Sequence, residues 1–398
     1  MKVVESMFPN ARIPYGTWGG SYFPAWQASP LAEVNIAQFA GEAMANILGK
    51  RKVPRKELDY LVVGSTVPWH WKFWNGPVVA SCMGQRIPGF QMEQACATGL
   101  SAVIHAGAEV NSKSYDVVGV LTFDRTSDSP VGVFPERRAY RRTEVISDVW
   151  DNFGFDPSTG SAMLQTAGKT ARKYKIDRSE VDELTALRYK QYFDAKNAGF
   201  QDKYLFSFDV LNVQGKLLGK ISEDVGVREI SLKALKEQRE LDSCITSGTQ
   251  THAADGMATL LVASPKKAKE LSKKPEINIE FIAKVDIRTG PGLMPEAPGL
   301  AVQKLLTRTG LTMNDMKVVK NHNPFAVNDA IFAKTMNYDW AKMNNTGCSL
   351  VYGHPQAPTL TRTIIEALEE AVDLGGGYVM VFGCAAGDVG TAGIFRVS

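Results

Sequence analysis

Five cysteines and five histidines are scattered through 398 residues, and four short stretches place some of them where they can react. The first is Gln94-Ala95-Cys96-Ala97-Thr98-Gly99-Leu100, which follows the extended segment Pro88 to Glu93 and leads into the helical pattern Leu100 to Ala108. A sulfur at a strand-to-helix junction lies near unpaired N–H groups and the positive end of the helix dipole, and both favour thiolate. This local pattern predicts a thiol pKa lowered from about 8.5 toward neutrality, as a covalent nucleophile requires. Ala97, Thr98 and Gly99 keep the elbow narrow enough for a carbonyl to approach. Taken alone, such a cysteine is more often a buried structural residue. The other stretches are Asn321-His322-Asn323-Pro324-Phe325, Tyr352-Gly353-His354-Pro355 and Gly383-Cys384-Ala385-Ala386-Gly387-Asp388-Val389-Gly390. Each sets a reactive side chain beside Gly or Pro, although a lone loop histidine is ordinarily a hydrogen-bonded structural residue.

The elements that must position these loops fall into two α/β blocks. Periodicity predicts a helix from Leu31 to Leu48, a buried strand Tyr60–Gly64, a helix between Gly76 and Gly84, and a strand Asp116–Leu121. Residues 123–244 are more polar and irregular, with a charged helix from Ser179 to Lys196 and the Arg137-Arg138-Ala139-Tyr140-Arg141-Arg142 cluster. They read as an inserted loop or lid domain. Strand texture returns at Ala258–Ala263, and a Lys-rich connector from Lys266 to Lys274 leads to the second block. That block contains strands Ile277–Ile282, Met316–Val319 and Gly377–Phe382 and a helix Leu300–Thr309. Two such halves suggest an internal duplication. The division is 1–122 with 245–271, then 123–244, then 272–398. Pro68-Trp69-His70-Trp71-Lys72-Phe73-Trp74 concentrates three of the seven tryptophans, as core, dimer interface or pocket wall.

Apolar content of 44%, charged content of 22% and a net charge of +3 describe an ordinary globular protein and give no sign of nucleic-acid binding. Five cysteines without a CxxC pair argue against a disulfide framework or zinc site and for a reducing compartment. The first residues carry no signal pattern, and no apolar run approaches the roughly 20 residues of a membrane span. The expected location is cytoplasmic.

Together, in this order and spacing, the four stretches resemble the thiolase superfamily over nearly the whole chain. Gln94–Leu100 is similar to its nucleophile motif, and Thr246-Ser247-Gly248-Thr249-Gln250-Thr251-His252-Ala253-Ala254-Asp255-Gly256 to its loop ending in Asp-Gly. Gly353-His354-Pro355 matches its Gly-His-Pro, and Cys384 with Gly387 and Gly390 its second-cysteine loop. The resemblance implies a five-layered αβαβα fold from two duplicated halves plus an inserted loop domain. It also implies a homodimer or larger assembly, with coenzyme A as substrate and no metal in this chain. It assigns Cys96 as nucleophile, His354 as its base, and Cys384 as the acid that protonates the leaving enolate and then deprotonates CoA. His322 would hold the enolate oxygen. The N–H groups of Cys96 and of the loop from Cys384 to Gly387 would hold the acyl oxyanion, with Asn323 shaping the neighbouring loop. Arg228, Thr251 and Ser247 fall where the family contacts CoA, and Arg137–Arg142 is a second anionic candidate or a solvated face.

The chain departs from the family in several places. His322-Asn323-Pro324-Phe325 stands where most thiolases have Asn-Glu-Ala-Phe and is closer to the His-Asp-Cys-Phe of sterol-carrier types. Gln356-Ala357-Pro358-Thr359-Leu360 replaces small residues, Leu121-Thr122-Phe123-Asp124 replaces Gly-Gly-Met-Glu, and His252 replaces a small residue. These departures and the tryptophans suggest a bulky, aromatic or branched β-ketoacyl-CoA. Ile13-Pro14-Tyr15-Gly16 with Ala25-Trp26-Gln27 looks like the thiolase subunits of benzoylsuccinyl-CoA thiolases, which work with a small zinc-ribbon/OB-fold partner. The alternatives are a generic 3-ketoacyl-CoA thiolase or acetyl-CoA acetyltransferase, a decarboxylating condensing enzyme using Cys96, His322 and His354, and a non-catalytic acyl-CoA-binding subunit.

Overall fold

The computed structural model describes residues 3–135 and 143–398, so the Arg137–Arg142 cluster lies outside the described residues. The first half contains β1 (Gly19–Ser21), α1 (Ile36–Lys50), β2 (Tyr60–Gly64), α2 (Asn75–Cys82), β3 (Gly89–Met92), α3 (Thr98–Asn111) and β4 (Val117–Arg125). An excursion follows: hairpin β5 (Val131–Pro135) and β6 (Thr143–Ser147), then α4 (Trp150–Gly154), α5 (Met163–Tyr174) and α6 (Arg178–Asn197). It closes with β7 (Leu205–Phe206), hairpin β8 (Phe208–Leu211) and β9 (Leu217–Ile221), and α7 (Leu232–Lys236). The chain returns through β10 (Asp255–Ala263) and α8 (Pro265–Leu271). The second half is β11 (Ile279–Arg288), α9 (Ala297–Thr309), β12 (Met316–His322), α10 (Ala326–Met336), α11 (Ser349–Tyr352), α12 (Ala357–Asp373), β13 (Gly377–Ala385) and β14 (Val389–Val397).

One sheet runs β3-β2-β4-β10-β1-β7 and the other β11-β14-β13-β12. Strands β2, β4, β10 and β13 are apolar at most positions because both of their faces are covered. Val62 faces the interior between the sheets, while Leu61 and Val63 face outward, by the two-residue alternation of a strand. Val379 and Val381 likewise face inward, and Tyr378, Met380 and Phe382 outward. Helices α3 and α12 fill the space between the sheets, α1 and α2 cover the outer face of the first, and α9 and α10 that of the second. The result is five layers, α-β-α-β-α. Gly99 allows the two central helices to cross, since a Cβ there would stand 2.5 Å from the Thr361 backbone nitrogen.

Helix α12 is buried from Ala357 to Ala371, which fits a helix enclosed on all sides. Its charges are paired: Arg362 reaches Asp224 at 2.8 and 2.9 Å, and Glu366 accepts from Arg362 at 3.0 Å and Tyr204 at 2.8 Å. Among the described residues, no helix is long and apolar enough to cross a membrane.

The local expectations need adjusting in three places. The helix expected from Leu31 is interrupted, because Asn35 accepts from the N–H groups of Ala37 and Gln38 at 3.0 and 3.2 Å and starts α1 afresh at Ile36. Strand β4 continues to Arg125, because Phe123 packs into the outer core and Asp124 is buried against polar partners. In the tryptophan-rich stretch only Trp69 joins the core, while Trp71, Phe73 and Trp74 are exposed and lie outside the lining of the cavity that holds Cys96.

Candidate active site

Three reactive loops leave the carboxyl ends of β3, β12 and β13, and the fourth joins α11 to α12. Strand ends in an α/β sheet are where loops are freest to carry ligand-binding groups. Here a cavity of about 750 Å³ is lined by Cys96, His354, Gln356, Cys384, Ala386 and Gly387. Trp150, Phe153 and Phe155 from the excursion line it as well, with Phe325.

Cys96 precedes α3, in a turn where Ala95 adopts a left-handed φ of 45°. The Thr98 hydroxyl pins that turn, accepting from Gln94 N–H and donating to the Ala95 carbonyl, both at 2.7 Å. The Cys96 sulfur lies 3.1 Å from His354 Nε2 and 3.3 Å from Gln356 Oε1. Its own backbone N–H and that of Ala386 are directed at the sulfur. The expected lowering of its pKa does not occur. Burial, the larger effect, pushes the thiol up to about 12, against those two N–H groups. The helix dipole acts through one element, whereas His354, Gln356 and Ala386 from the other half of the chain close over the sulfur.

His354 is buried, and burial pulls its pKa down to about 3. It is therefore a neutral imidazole. Its Nδ1 is 2.7 Å from Thr359 Oγ1, so a proton held there leaves Nε2 as the acceptor for the thiol proton. Gln356 follows two residues later at φ 71° and ψ −104°, a region side chains rarely occupy and one that costs about 1–3 kcal/mol. The conformation is fixed from the next residue, whose N–H donates to Asp124 Oδ2 at 2.8 Å. Asp124 also accepts from Ser65 and Thr66 hydroxyls and from the Thr66 and Val67 N–H groups at 2.8–2.9 Å. Burial still pushes this carboxyl up to about 7.

His322 is fully buried, its ring 4.1 Å from that of His354. Burial first and His354 second hold its pKa well below the usual range. Nδ1 is 2.7 Å from Ser349 Oγ, and Nε2 has no hydrogen-bond partner. A buried N–H without a partner is a preformed site for a developing anion. Cys384 is buried too. Its sulfur accepts from Asn328 Nδ2 at 3.3 Å, and its pKa is raised by burial first and by Cys96 second. Gly387 lines the cavity at φ 82°, and its loop is tied down by Asp388, which accepts from the N–H groups of Gly292 and Leu293 at 2.9 and 3.0 Å.

Cys96, His354, Cys384 and His322 are thus brought together. Asn323 stays beside them, but its amide is engaged by Asp329, Cys348, Ser349 and Leu350, so it shapes the loop rather than facing substrate. Thr251 lines the cavity with its hydroxyl donating to the Ser349 carbonyl at 2.5 Å. Arg228 and Ser247 are exposed and outside the cavity lining, with Ser247 donating to Gln238 at 3.2 Å. Sequence reasoning missed Gln356, Ser349, Thr359 and Asn328 as partners of the reactive groups, and the Trp150–Phe155 wall. Gln356 and Asp124 did carry a signal, as large or acidic residues at positions where the family pattern differs.

The family description "Thiolase, N-terminal domain" matches residues 23–266, and "Thiolase, C-terminal domain" matches residues 275–397. Acetyl-CoA acetyltransferase of Synechocystis sp. is 24% identical over 375 residues, covering 90% of each chain. The 3-ketoacyl-CoA thiolase of Colwellia psychrerythraea is 28% identical over 419 residues, covering 92% of this chain and 93% of its own. The crystal structure of human mitochondrial 3-ketoacyl-CoA thiolase in complex with CoA shares the fold, with a TM-score of 0.87 at 20% identity and full coverage of both chains. The chain belongs to the thiolase family. It is an acyltransferase of that family.

Proposed function

We propose that the protein catalyses CoA-dependent cleavage of a β-ketoacyl-CoA, or the reverse Claisen condensation, through an acyl group carried on Cys96. The observation that carries this reading is a single cavity holding Cys96 with His354 on its sulfur and a second thiol, Cys384, on the same lining. Cys96 passes its proton to His354 Nε2 as its sulfur attacks the ketone carbon. The alkoxide that forms sits against the N–H groups of Cys96 and Ala386. Collapse breaks the bond to the α-carbon, and His322 Nε2–H stabilises the enolate oxygen. Cys384 protonates that carbon, and the departing fragment leaves as its own CoA thioester while the shortened acyl group stays on Cys96. Incoming CoA gives its proton to the Cys384 thiolate and attacks the acyl-Cys96 thioester. Cys96 then departs and recovers its proton from His354. Both acids and bases return to their starting states.

A decarboxylating condensation is the weaker reading because it has no use for Cys384. Among thiolase substrates, the broader reading of a generic 3-ketoacyl-CoA or acetoacetyl-CoA enzyme fits the named relatives best. A bulky or aromatic acyl group, such as a benzoyl group from benzoylsuccinyl-CoA with a zinc-ribbon/OB-fold partner, is favoured by one feature, the Trp150, Phe153, Phe155 and Phe325 wall. Arg228, Ser247 and Thr251 are the proposed contacts for CoA. A homodimer or larger assembly is supported by the open edge of β3, beside which Phe90, Trp71, Phe73 and Trp74 are exposed. The test is product analysis with acetoacetyl-CoA, longer straight-chain ketoacyl-CoAs and an aroyl analogue, with and without CoA. Two thioester products formed only with CoA support the reading, and their rank order identifies the acyl group. Turnover that releases carbon dioxide, or none with any ketoacyl-CoA, contradicts it.

A further inference from the structure

The same three side chains that form the acid–base centre also meet the requirements of a metal site. The Cys96 sulfur and one ring nitrogen from each of His322 and His354 lie within 4.8 Å of one another, and the Cys96–His354 separation is 3.1 Å. Tetrahedral zinc, with bonds of about 2.3 Å to sulfur and 2.0–2.1 Å to nitrogen, holds such donors about 3.3–3.6 Å apart. The two rings stand 4.1 Å apart at 35°, so closing the set on one ion takes a rotation of the His322 ring about its Nδ1 contact.

A second observation is independent of the clustering. In both histidines Nδ1 is held by a hydroxyl at 2.7 Å, Thr359 for His354 and Ser349 for His322. This is the outer-shell arrangement that orients ligating imidazoles. It turns Nε2 of His354 onto the sulfur and leaves Nε2 of the fully buried His322 without a partner. Ser349 is the adaptable member. Its hydroxyl can donate to His322 Nδ1, which places the ring proton on Nε2 as an anion donor. It can instead accept from Nδ1–H and donate to Asn323 Oδ1, 3.3 Å away, which bares the Nε2 lone pair. Both arrangements keep Ser349 hydrogen-bonded, so the change between anion donor and metal ligand falls on His322 Nε2 alone.

We propose that this centre is a reversible inhibitory site for a thiophilic divalent cation, with Zn²⁺ held by Cys96 Sγ, His354 Nε2 and His322 Nε2. Binding exchanges the S–H bond of Cys96 for a metal–sulfur bond and releases one proton to solvent, with no change of oxidation state. A fourth position opens onto the cavity, where water or an incoming thiol completes the tetrahedron. The bound ion blocks the nucleophile, its base and the enolate donor together. One thiolate and two imidazoles select Zn²⁺ or Co²⁺ over Mg²⁺ and Ca²⁺, which take oxygen ligands.

The test uses the full-length chain, reduced and freed of metal, with binding measured without turnover. Co²⁺ titration is expected to give a thiolate-to-cobalt charge-transfer band that Zn²⁺ displaces and Mg²⁺ does not. Cys96→Ser is expected to abolish the band, and Ser349→Ala to weaken cobalt binding by about 10-fold with the band retained. In the unmodified chain, Zn²⁺ is expected to slow iodoacetamide labelling of the Cys96 peptide while leaving the half-exposed Cys82 unaffected. A band unchanged in Cys96→Ser or His322→Ala, or Cys96 labelling indifferent to Zn²⁺, would overturn the proposal. Its failure is separable from failure of the thiolase reading, which stands on an acyl adduct at Cys96 formed without metal.

Discussion

The two cavity cysteines sit at the ends of strands in opposite halves of the chain, and their surroundings are opposite in kind. Cys96 faces acceptors, His354 Nε2 at 3.1 Å and Gln356 Oε1 at 3.3 Å. Cys384 faces a donor, the Asn328 amide at 3.3 Å. Both thiols are raised in pKa by burial, so neither rests as a thiolate. A thiol whose proton points at a base is built to lose that proton during attack. A sulfur that receives a hydrogen bond is built to tolerate the negative charge left after its proton has gone to carbon. Two residues of one type thus divide the work of nucleophile and acid by their neighbours alone.

The comparison breaks most completely at Cys96. Cys96→Ser is expected to lower kcat by roughly 10⁴-fold or more, measured by thiolysis, because no other group takes over the acyl transfer. Next comes Cys384→Ala, with a loss of about 10²–10⁴-fold in CoA-dependent turnover while Cys96 remains able to accept an acyl group. Full turnover in that variant would remove the distinction between the cysteines and favour decarboxylative condensation. Replacing the enolate donor, His322→Ala, is expected to cost about 10²–10³-fold, in kcat rather than KM. Asn328→Ala removes only the hydrogen bond to Cys384 and is expected to lower kcat by roughly 10-fold, in line with about 1.5 kcal/mol for a bond to a charged group. The smallest change is with pH. His354 loses its role as base only as pH falls toward about 3, and the Cys96 thiol persists up to about 12. The acylation rate from kcat/KM is therefore expected to be level between about pH 5 and 9, with no limb from this pair.

Much of this arrangement could be read in the sequence, and the remainder fails for identifiable reasons. Unbroken apolar runs such as Tyr60–Gly64 mark strands covered on both faces, and Gly or Pro beside Cys96, His354 and Cys384 marks the loops they enter. The direction of the Cys96 shift was not visible, because it depends on burial by residues such as Gln356, 260 positions away. Ser349, Thr359 and Asn328 look like ordinary short polar residues until folding places them against a ring nitrogen or a sulfur. In sequence the aromatic stretch Pro68–Trp74 is open between core, interface and pocket wall, and the cavity wall comes from elsewhere in the chain. Trp71 and Trp74 are prominent in sequence yet exposed, whereas Trp150, Phe153 and Phe155, spread through a polar region, wall the cavity.

The most direct test is mass spectrometry of the quenched enzyme after brief exposure to a ketoacyl-CoA and CoA. The division of labour predicts an acyl mass on the Cys96 peptide, lost in Cys96→Ser, and in Cys384→Ala formed more slowly but longer-lived, because both protonation of the enolate and activation of CoA are impaired. An acyl group found on Cys384, or on neither cysteine while products accumulate, would contradict it.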